Sequence, residues 1–200
     1  MNALILVDVQ NDFMPGGPLA VADGDAVVPV LNAVMGEYDF VVATQDWHPA
    51  DHSSFASRHE GLPAFSETVL DGLEQTLWPD HCVQGTEGAA FHPELDLGPV
   101  VAIFRKGVDR GIDSYSGFFD NGRRRKTGLD AWLRGMDVTT VHIGGLAAEI
   151  CVAYTAADAR RCGFRTAVLE DATRPFDSEA WAEKADELRE AGVAIETSAR

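Results

Sequence analysis

Val138-Thr139-Thr140-Val141-His142-Ile143-Gly144-Gly145-Leu146-Ala147-Ala148-Glu149-Ile150-Cys151-Val152-Ala153-Tyr154 joins two kinds of pattern in one short stretch. The apolar run from Val138 to Ile143 predicts a strand, the glycine pair a turn, and the alanine-rich segment a helix. Strand, turn and helix in that order are the repeating unit of an α/β fold. Cys151 falls near the start of the helix, where unpaired N–H groups and partial positive charge favour a thiolate over a thiol. An arbitrary cysteine is more often a small buried apolar residue. Its place just beyond a strand and a Gly-Gly turn points instead to chemistry.

Outward from this stretch the same unit recurs. Leu4–Val7, Phe40–Ala43, Val100–Phe104, Thr166–Leu169 and Val193–Ile195 are further apolar runs of strand length. Between them, Val27, Val30, Leu31 and Val34 fall at helical spacing. Thr127 is placed to cap a short helix carrying Leu129, Trp132 and Leu133, and Ser178 one whose Trp181, Ala185 and Leu188 share a face. Arg58 to Leu77 reads as a long irregular loop. The pattern predicts a single three-layer α/β domain over residues 1–200. Its centre is a mostly parallel six-stranded sheet with helices on both faces. A metal-binding, lid-like insertion occupies about 45–95.

In an open α/β sheet, sites form beyond the carboxyl ends of the strands. Asp8, Asp46, Lys106 and Cys151 each follow a different predicted strand. Turn residues have no reason to be a carboxylate, a metal ligand, an ammonium and a thiol. Lys106 is one of three lysines against thirteen arginines, and lysine is the cation whose pKa responds to burial.

Five of the six histidines lie between His48 and His92. Asp46 and His48 are two apart and point to one side in extended chain; His52 and His81 are within reach. One carboxylate and two imidazoles suit zinc, iron(II) or manganese. The other reading of Asp46-Trp47-His48 is a polar surface loop. His59 and His92 read as bystanders, and Cys82 points away if its segment is extended.

The totals exclude several classes. A formal charge of −16 repels nucleic acid and anionic membranes, and Arg123-Arg124-Arg125-Lys126 reads as a solvated loop. No run approaches the roughly 20 apolar residues of a membrane span, and no secretory signal is seen at the start. Three cysteines give no disulfide framework. The expectation is a cytoplasmic protein with free thiols, with room for a homo-oligomer.

Leu6-Val7-Asp8-Val9-Gln10-Asn11-Asp12-Phe13, Thr44-Gln45-Asp46-Trp47-His48-Pro49, Trp78-Pro79-Asp80-His81-Cys82-Val83, Phe104-Arg105-Lys106-Gly107, Tyr115-Ser116-Gly117-Phe118 and Gly145-Leu146-Ala147 through Cys151-Val152 carry a resemblance. The chain resembles, over nearly its whole length, the nicotinamidase/pyrazinamidase group of the isochorismatase-like cysteine hydrolases. The resemblance implies a Rossmann-like fold and a catalytic triad of Asp8, Lys106 and Cys151. It implies an oxyanion hole from the Ala147 and Cys151 N–H groups, with a cis peptide at Leu146–Ala147. Phe13, Trp78 and Tyr115 would line the ring pocket. Asp46, His48 and His81 would hold one divalent metal, zinc before iron(II) or manganese, with His52 as an optional ligand. The implied activity is hydrolysis of nicotinamide to nicotinic acid and ammonia through a thioester, pyrazinamide also being taken, in NAD salvage. The alternative is a metal-independent amidohydrolase of the same superfamily acting on a carbamoyl or ureido compound. The chain departs from the group's common Ala-Thr-Asp-Tyr-Cys or Ala-Thr-Asp-His-Cys at Ala148, Glu149 and Ile150, which bears on the shape of the pocket.

Overall fold

Strand β1 (Asn2–Val7) runs through the middle of the protein, and its side chains show why. Ala3, Ile5 and Val7 enter one apolar cluster, Leu4 and Leu6 another. A period of two with both faces apolar is what a strand covered on both sides requires. The computed structural model describes residues 1–198. After β1 come α1 (Val27–Val34), β2 (Phe40–Asp46) and a hairpin of β3 (Glu67–Leu70) and β4 (Leu73–Thr76). Then follow β5 (Val100–Lys106), α2 (Leu129–Gly135), β6 (Thr140–Leu146), α3 (Ala153–Arg161), β7 (Arg165–Arg174), α4 (Ser178–Glu190) and β8 (Ala194–Glu196).

The main sheet has six strands in the order β5-β2-β1-β6-β7-β8, and every pairing in it is parallel. Helix α1 buries Val27, Val28, Leu31 and Val34 in the cluster on one face. Leu129 and Leu133 of α2, the alanines of α3, and Trp181, Ala185 and Leu188 of α4 join the other. This is the three-layer α/β architecture that the strand and helix spacing predicts. The order reverses direction beside β1, so the carboxyl ends of β1, β2, β5 and β6 face one crevice. Among the described residues no helix is long and apolar enough to cross a membrane.

Several boundaries differ from the sequence reading, for identifiable reasons. Strands β2 and β5 run on through Asp46 and Lys106, which pair with each other in register. The Gly144-Gly145 pair is not a turn but part of β6. A Cβ on Gly145, at φ 125°, would lie 2.0 Å from the Val7 carbonyl oxygen, so the glycine serves close backbone approach. Strand β7 likewise continues through Glu170 and Asp171 to Arg174. The 58–77 segment is not wholly irregular. It holds the β3–β4 hairpin, turned by Asp71 and Gly72 at φ 49° and 79°, an Asp-Gly signal for such a turn. Helix α4 is capped by Asp177, not Ser178: its carboxylate accepts the Glu179 and Ala180 N–H groups. At α2, Gly128 is the capping residue, while Thr127 Oγ1 accepts the Leu129 N–H.

Candidate active site

Lys106 is the hub of the crevice. Its side chain leaves the last position of β5 and is 1% exposed. The ammonium lies 2.9 Å from Asp8 Oδ2, 3.0 Å from Asp46 Oδ1 and 3.4 Å from Cys151 Sγ, and donates to the Ser114 carbonyl at 2.9 Å. Burial disfavours its charge, but Asp46 and Asp8 outweigh burial and hold its pKa well above the usual lysine value.

Asp8 follows β1 with a left-handed backbone, φ 49°, uncommon outside glycine and typical of positions that the surroundings over-determine. Thr44 Oγ1 donates to Asp8 Oδ1 at 2.6 Å. Oδ2 meets the Lys106 ammonium at ion-pair distance and, among the described residues, has no other polar partner. Burial, opposed by Lys106, leaves Asp8 above the ordinary carboxylate value.

Cys151 sits in a π-helical turn, Ala148–Val152, that leads into α3. The Leu146–Ala147 peptide before it is cis, as the resemblance implies. The thiol differs from the sequence expectation. Burial pushes its pKa well above the usual value; Lys106 opposes this, while Asp8 and Asp46 add to it. A helix-terminus argument alone misses the burial of the sulfur and the two carboxylates near it, both of which favour the thiol. A sulfur whose proton is favoured in this way calls for a base nearby, and Asp8 shares the Lys106 ammonium with it.

A cleft opens over Cys151. It is lined by Phe13, Trp78 and Tyr115, the three residues that the resemblance implies for a ring pocket, and by Ala147. Trp78 Nε1 donates to the Tyr115 hydroxyl at 3.3 Å. Ile150, part of the departure from the group's common sequence, lines it too, and so do Leu19, Asp113 and Phe176, which were not signalled by the sequence.

Asp46, His48 and His81 meet at the cleft's inner end. His48 Nδ1 faces the Gly107 carbonyl at 3.0 Å and His81 Nδ1 the Pro79 carbonyl at 2.8 Å. Each Nδ1 therefore donates to its carbonyl, which turns each Nε2 toward Asp46. These atoms lie 3.3 Å and 3.5 Å from Asp46 Oδ2. Ligands at about 2.0–2.1 Å from a tetrahedral ion would stand roughly 3.3 Å apart. His48 Nε2 is buried with no hydrogen-bond partner. The residues fit a divalent cation. Asp46 is held well below the usual carboxylate range: burial acts against this, but His48 and Lys106 outweigh it.

His52 packs on His48, ring centroids 4.4 Å apart. Its Nδ1 contacts the Ser54 hydroxyl at 2.7 Å and its Nε2 the Ile112 carbonyl at 3.3 Å. It forms a second close trio with His48 and Asp113 rather than joining the first. His59 bonds the Ser53 carbonyl and His92 the Glu94 N–H, both away from the trio. Cys82, at φ 46°, is buried and donates its N–H to Asp12 Oδ2. Gln10 brackets Asp46, accepting its N–H at 2.8 Å and donating to its carbonyl at 2.8 Å. Gln10 and Thr44 are supporting residues that could not be paired from sequence alone, since each partner lies 36 positions away.

An open parallel sheet thus carries a thiol, a carboxylate and an ammonium together at its carboxyl edge, an arrangement suited to hydrolytic chemistry. The chain matches the Isochorismatase domain family over residues 2–200, and it belongs to that family. It is 49% identical over 177 residues to a nicotinamidase of Escherichia coli (strain K12), with 86% of this chain and 83% of the relative covered. A solved nicotinamidase/pyrazinamidase of Acinetobacter baumannii superposes with TM-score 0.95 at 44% identity, covering 98% of this chain and 95% of that one. The pyrazinamidase of Pyrococcus horikoshii in complex with zinc gives TM-score 0.81 at 37% identity, covering 98% and 99%.

Proposed function

We propose that the chain is a nicotinamidase, hydrolysing nicotinamide to nicotinic acid and ammonia, and pyrazinamide likewise. The observation that carries this is the meeting of two sets at one cleft: Asp8, Lys106 and Cys151 around one ammonium, and Asp46, His48 and His81 at ligand spacing. The resemblance to nicotinamidases and pyrazinamidases supports it.

Cys151 is the nucleophile and Asp8 the base. The thiol proton passes to Asp8 as sulfur attacks the carboxamide carbon, forming the S–C bond. The carbonyl electrons move to oxygen, where the Ala147 and Cys151 N–H groups receive the negative charge. Asp8 returns the proton to the amide nitrogen, the C–N bond breaks and ammonia leaves a thioester. Water then gives a proton to Asp8 and attacks the same carbon. The C–S bond breaks, and the proton restores the thiol. Lys106 stabilises the sulfur's negative charge throughout. Phe13, Trp78 and Tyr115 hold the ring. Asp46, His48 and His81 would hold a divalent cation, zinc being the ion that best suits two imidazoles and a carboxylate, and the bound ion would supply Lewis-acid chemistry toward the ring. Residues of about 45–95 form the metal-binding, lid-like part of the domain.

Ammonia release is measured with nicotinamide, pyrazinamide and a ureido compound, with and without chelator. Release from the two ring amides that falls on chelation is expected. Chelator-insensitive activity on the ureido compound alone would replace this reading with the metal-independent one.

The cation seat makes its own prediction. A Cβ at Gly107, where φ is 63°, would lie 2.3 Å from His48 Cε1 and 2.6 Å from Nδ1. Gly107→Ala therefore displaces the His48 ring and costs the carbonyl that orients it. Metal affinity is expected to fall about 10–100-fold, as on loss of an outer-shell partner, read by competition with a chromophoric chelator.

A further inference from the structure

Glu149 sits two residues before Cys151 in the π-helical turn and is half-buried, yet it is not among the residues lining the cleft. Its carboxylate reaches across to the segment between β7 and α4. Oε1 accepts the Asp177 N–H at 2.8 Å and Oε2 the Phe176 N–H at 3.3 Å. Asp177 in turn caps α4. Phe176 lines the cleft but is 36% exposed, so packing holds its ring less firmly than a core phenylalanine. Two adjacent amides on one ionised carboxylate make a strong, directional tie. The tie joins the turn that carries the nucleophile to the segment that carries a wall of the cleft.

We propose that Glu149 is a positioning residue for substrate binding: it holds residues 175–177 against the Cys151 turn and thereby fixes Phe176 as a wall of the ring site. The proposal rests on the reading of the cleft as a nicotinamide site. Glu149 touches no reacting atom, so its loss acts on binding more than on the chemical steps.

The test is steady-state kinetics on nicotinamide with Glu149→Ala, Glu149→Gln, Phe176→Ala and the Glu149→Ala/Phe176→Ala double variant, with amide hydrogen exchange at Phe176 and Asp177. Glu149→Ala is expected to raise KM about tenfold, a modest binding loss, with kcat within about threefold. Exchange at the two amides speeds up. Glu149→Gln keeps an acceptor oxygen and recovers most of the KM. The double variant is no worse than Phe176→Ala, because both changes remove the same wall. Additive effects, a fall in kcat at constant KM, or unchanged exchange would overturn the proposal. A wild-type enzyme inert toward nicotinamide, with exchange still accelerated in Glu149→Ala, would overturn the substrate reading and leave the positioning role standing. If Glu149→Ala fails to fold, Glu149→Met decides, since it nearly keeps the volume but has no acceptor for the two N–H groups: faster exchange with a raised KM supports the proposal, and an exchange rate and KM equal to wild type would overturn it.

Discussion

Cys151→Ala is expected to lower the rate of ammonia release from nicotinamide by at least about 10⁴-fold, the scale on which removal of a nucleophile acts in other hydrolases. The sulfur lies 3.4 Å from the Lys106 ammonium and forms part of the cleft wall. Among the described residues, the only other hydroxyl or thiol side chain lining the cleft is Tyr115. Burial, with Asp113 adding to it, pushes that phenol far above its usual pKa, so it stays protonated and unreactive. No substitute nucleophile is at hand. The change removes one buried atom, so the fold and the ring pocket persist. Calorimetric binding of nicotinamide should stay within a few-fold of wild type while turnover disappears. More than a tenth of the wild-type rate would show that sulfur does not carry the reaction.

Lys106→Met is expected to destabilise the protein by about 3–5 kcal/mol, as when one partner of a buried ionic group is removed. For a chain of this length that lowers the unfolding midpoint by roughly 10 °C. Methionine nearly matches the volume, so the defect is electrostatic. Asp8 and Asp46 would be left buried without the ammonium that now lies within 3.0 Å of both. The pH dependence has a definite sign. Lys106 and His48 hold Asp46 below the usual carboxylate range. The stability from that depression is present above the unfolded carboxylate's pKa and fades as pH falls toward the folded one. In the variant both carboxylates titrate higher. Its deficit is largest near neutral pH and shrinks on acidification, as protonation removes the uncompensated charge. Activity falls with stability, since the sulfur loses its neighbouring cation. Thermal melts across pH 4 to 8, roughly the carboxylate-to-neutral range, check this; a deficit that grew with acidity would contradict it.

Much of this was legible before any coordinates. The apolar runs and helical spacings give the order of elements, because burial on both faces of a parallel sheet leaves a local mark in each strand. The polar residues at strand ends were equally local, which is why Asp8, Asp46, Lys106 and Cys151 stand out. What could not be read depends on distant partners. Thr44 and Gln10 are ordinary polar residues until β1 and β2 lie side by side. Phe176 becomes a cleft residue only when α4 packs near the Cys151 turn. The glycine pair misled because Gly144 and Gly145 mark a close crossing of backbones, a use of glycine that sequence cannot tell from a turn. The thiol misled for a related reason: its proton affinity is raised first by burial in the folded crevice, with carboxylates from two other strands adding to it. The Asp71-Gly72 hairpin, by contrast, was signalled and overlooked in a long polar stretch.

Asp46 divides its two oxygens. Oδ1 faces the ammonium of Lys106 and Oδ2 faces the two imidazoles, while the residue next to Lys106, Gly107, supplies the carbonyl that aims His48. The acyl-transfer half and the ring-gripping half are therefore not separable modules. A descendant of this scaffold could not discard its histidines and keep the remainder unchanged, because the same carboxylate would then carry an unshared charge into the nucleophile's surroundings. Divergence toward a new substrate is channelled accordingly: the outer walls are free to vary residue by residue, whereas the floor must change as a block.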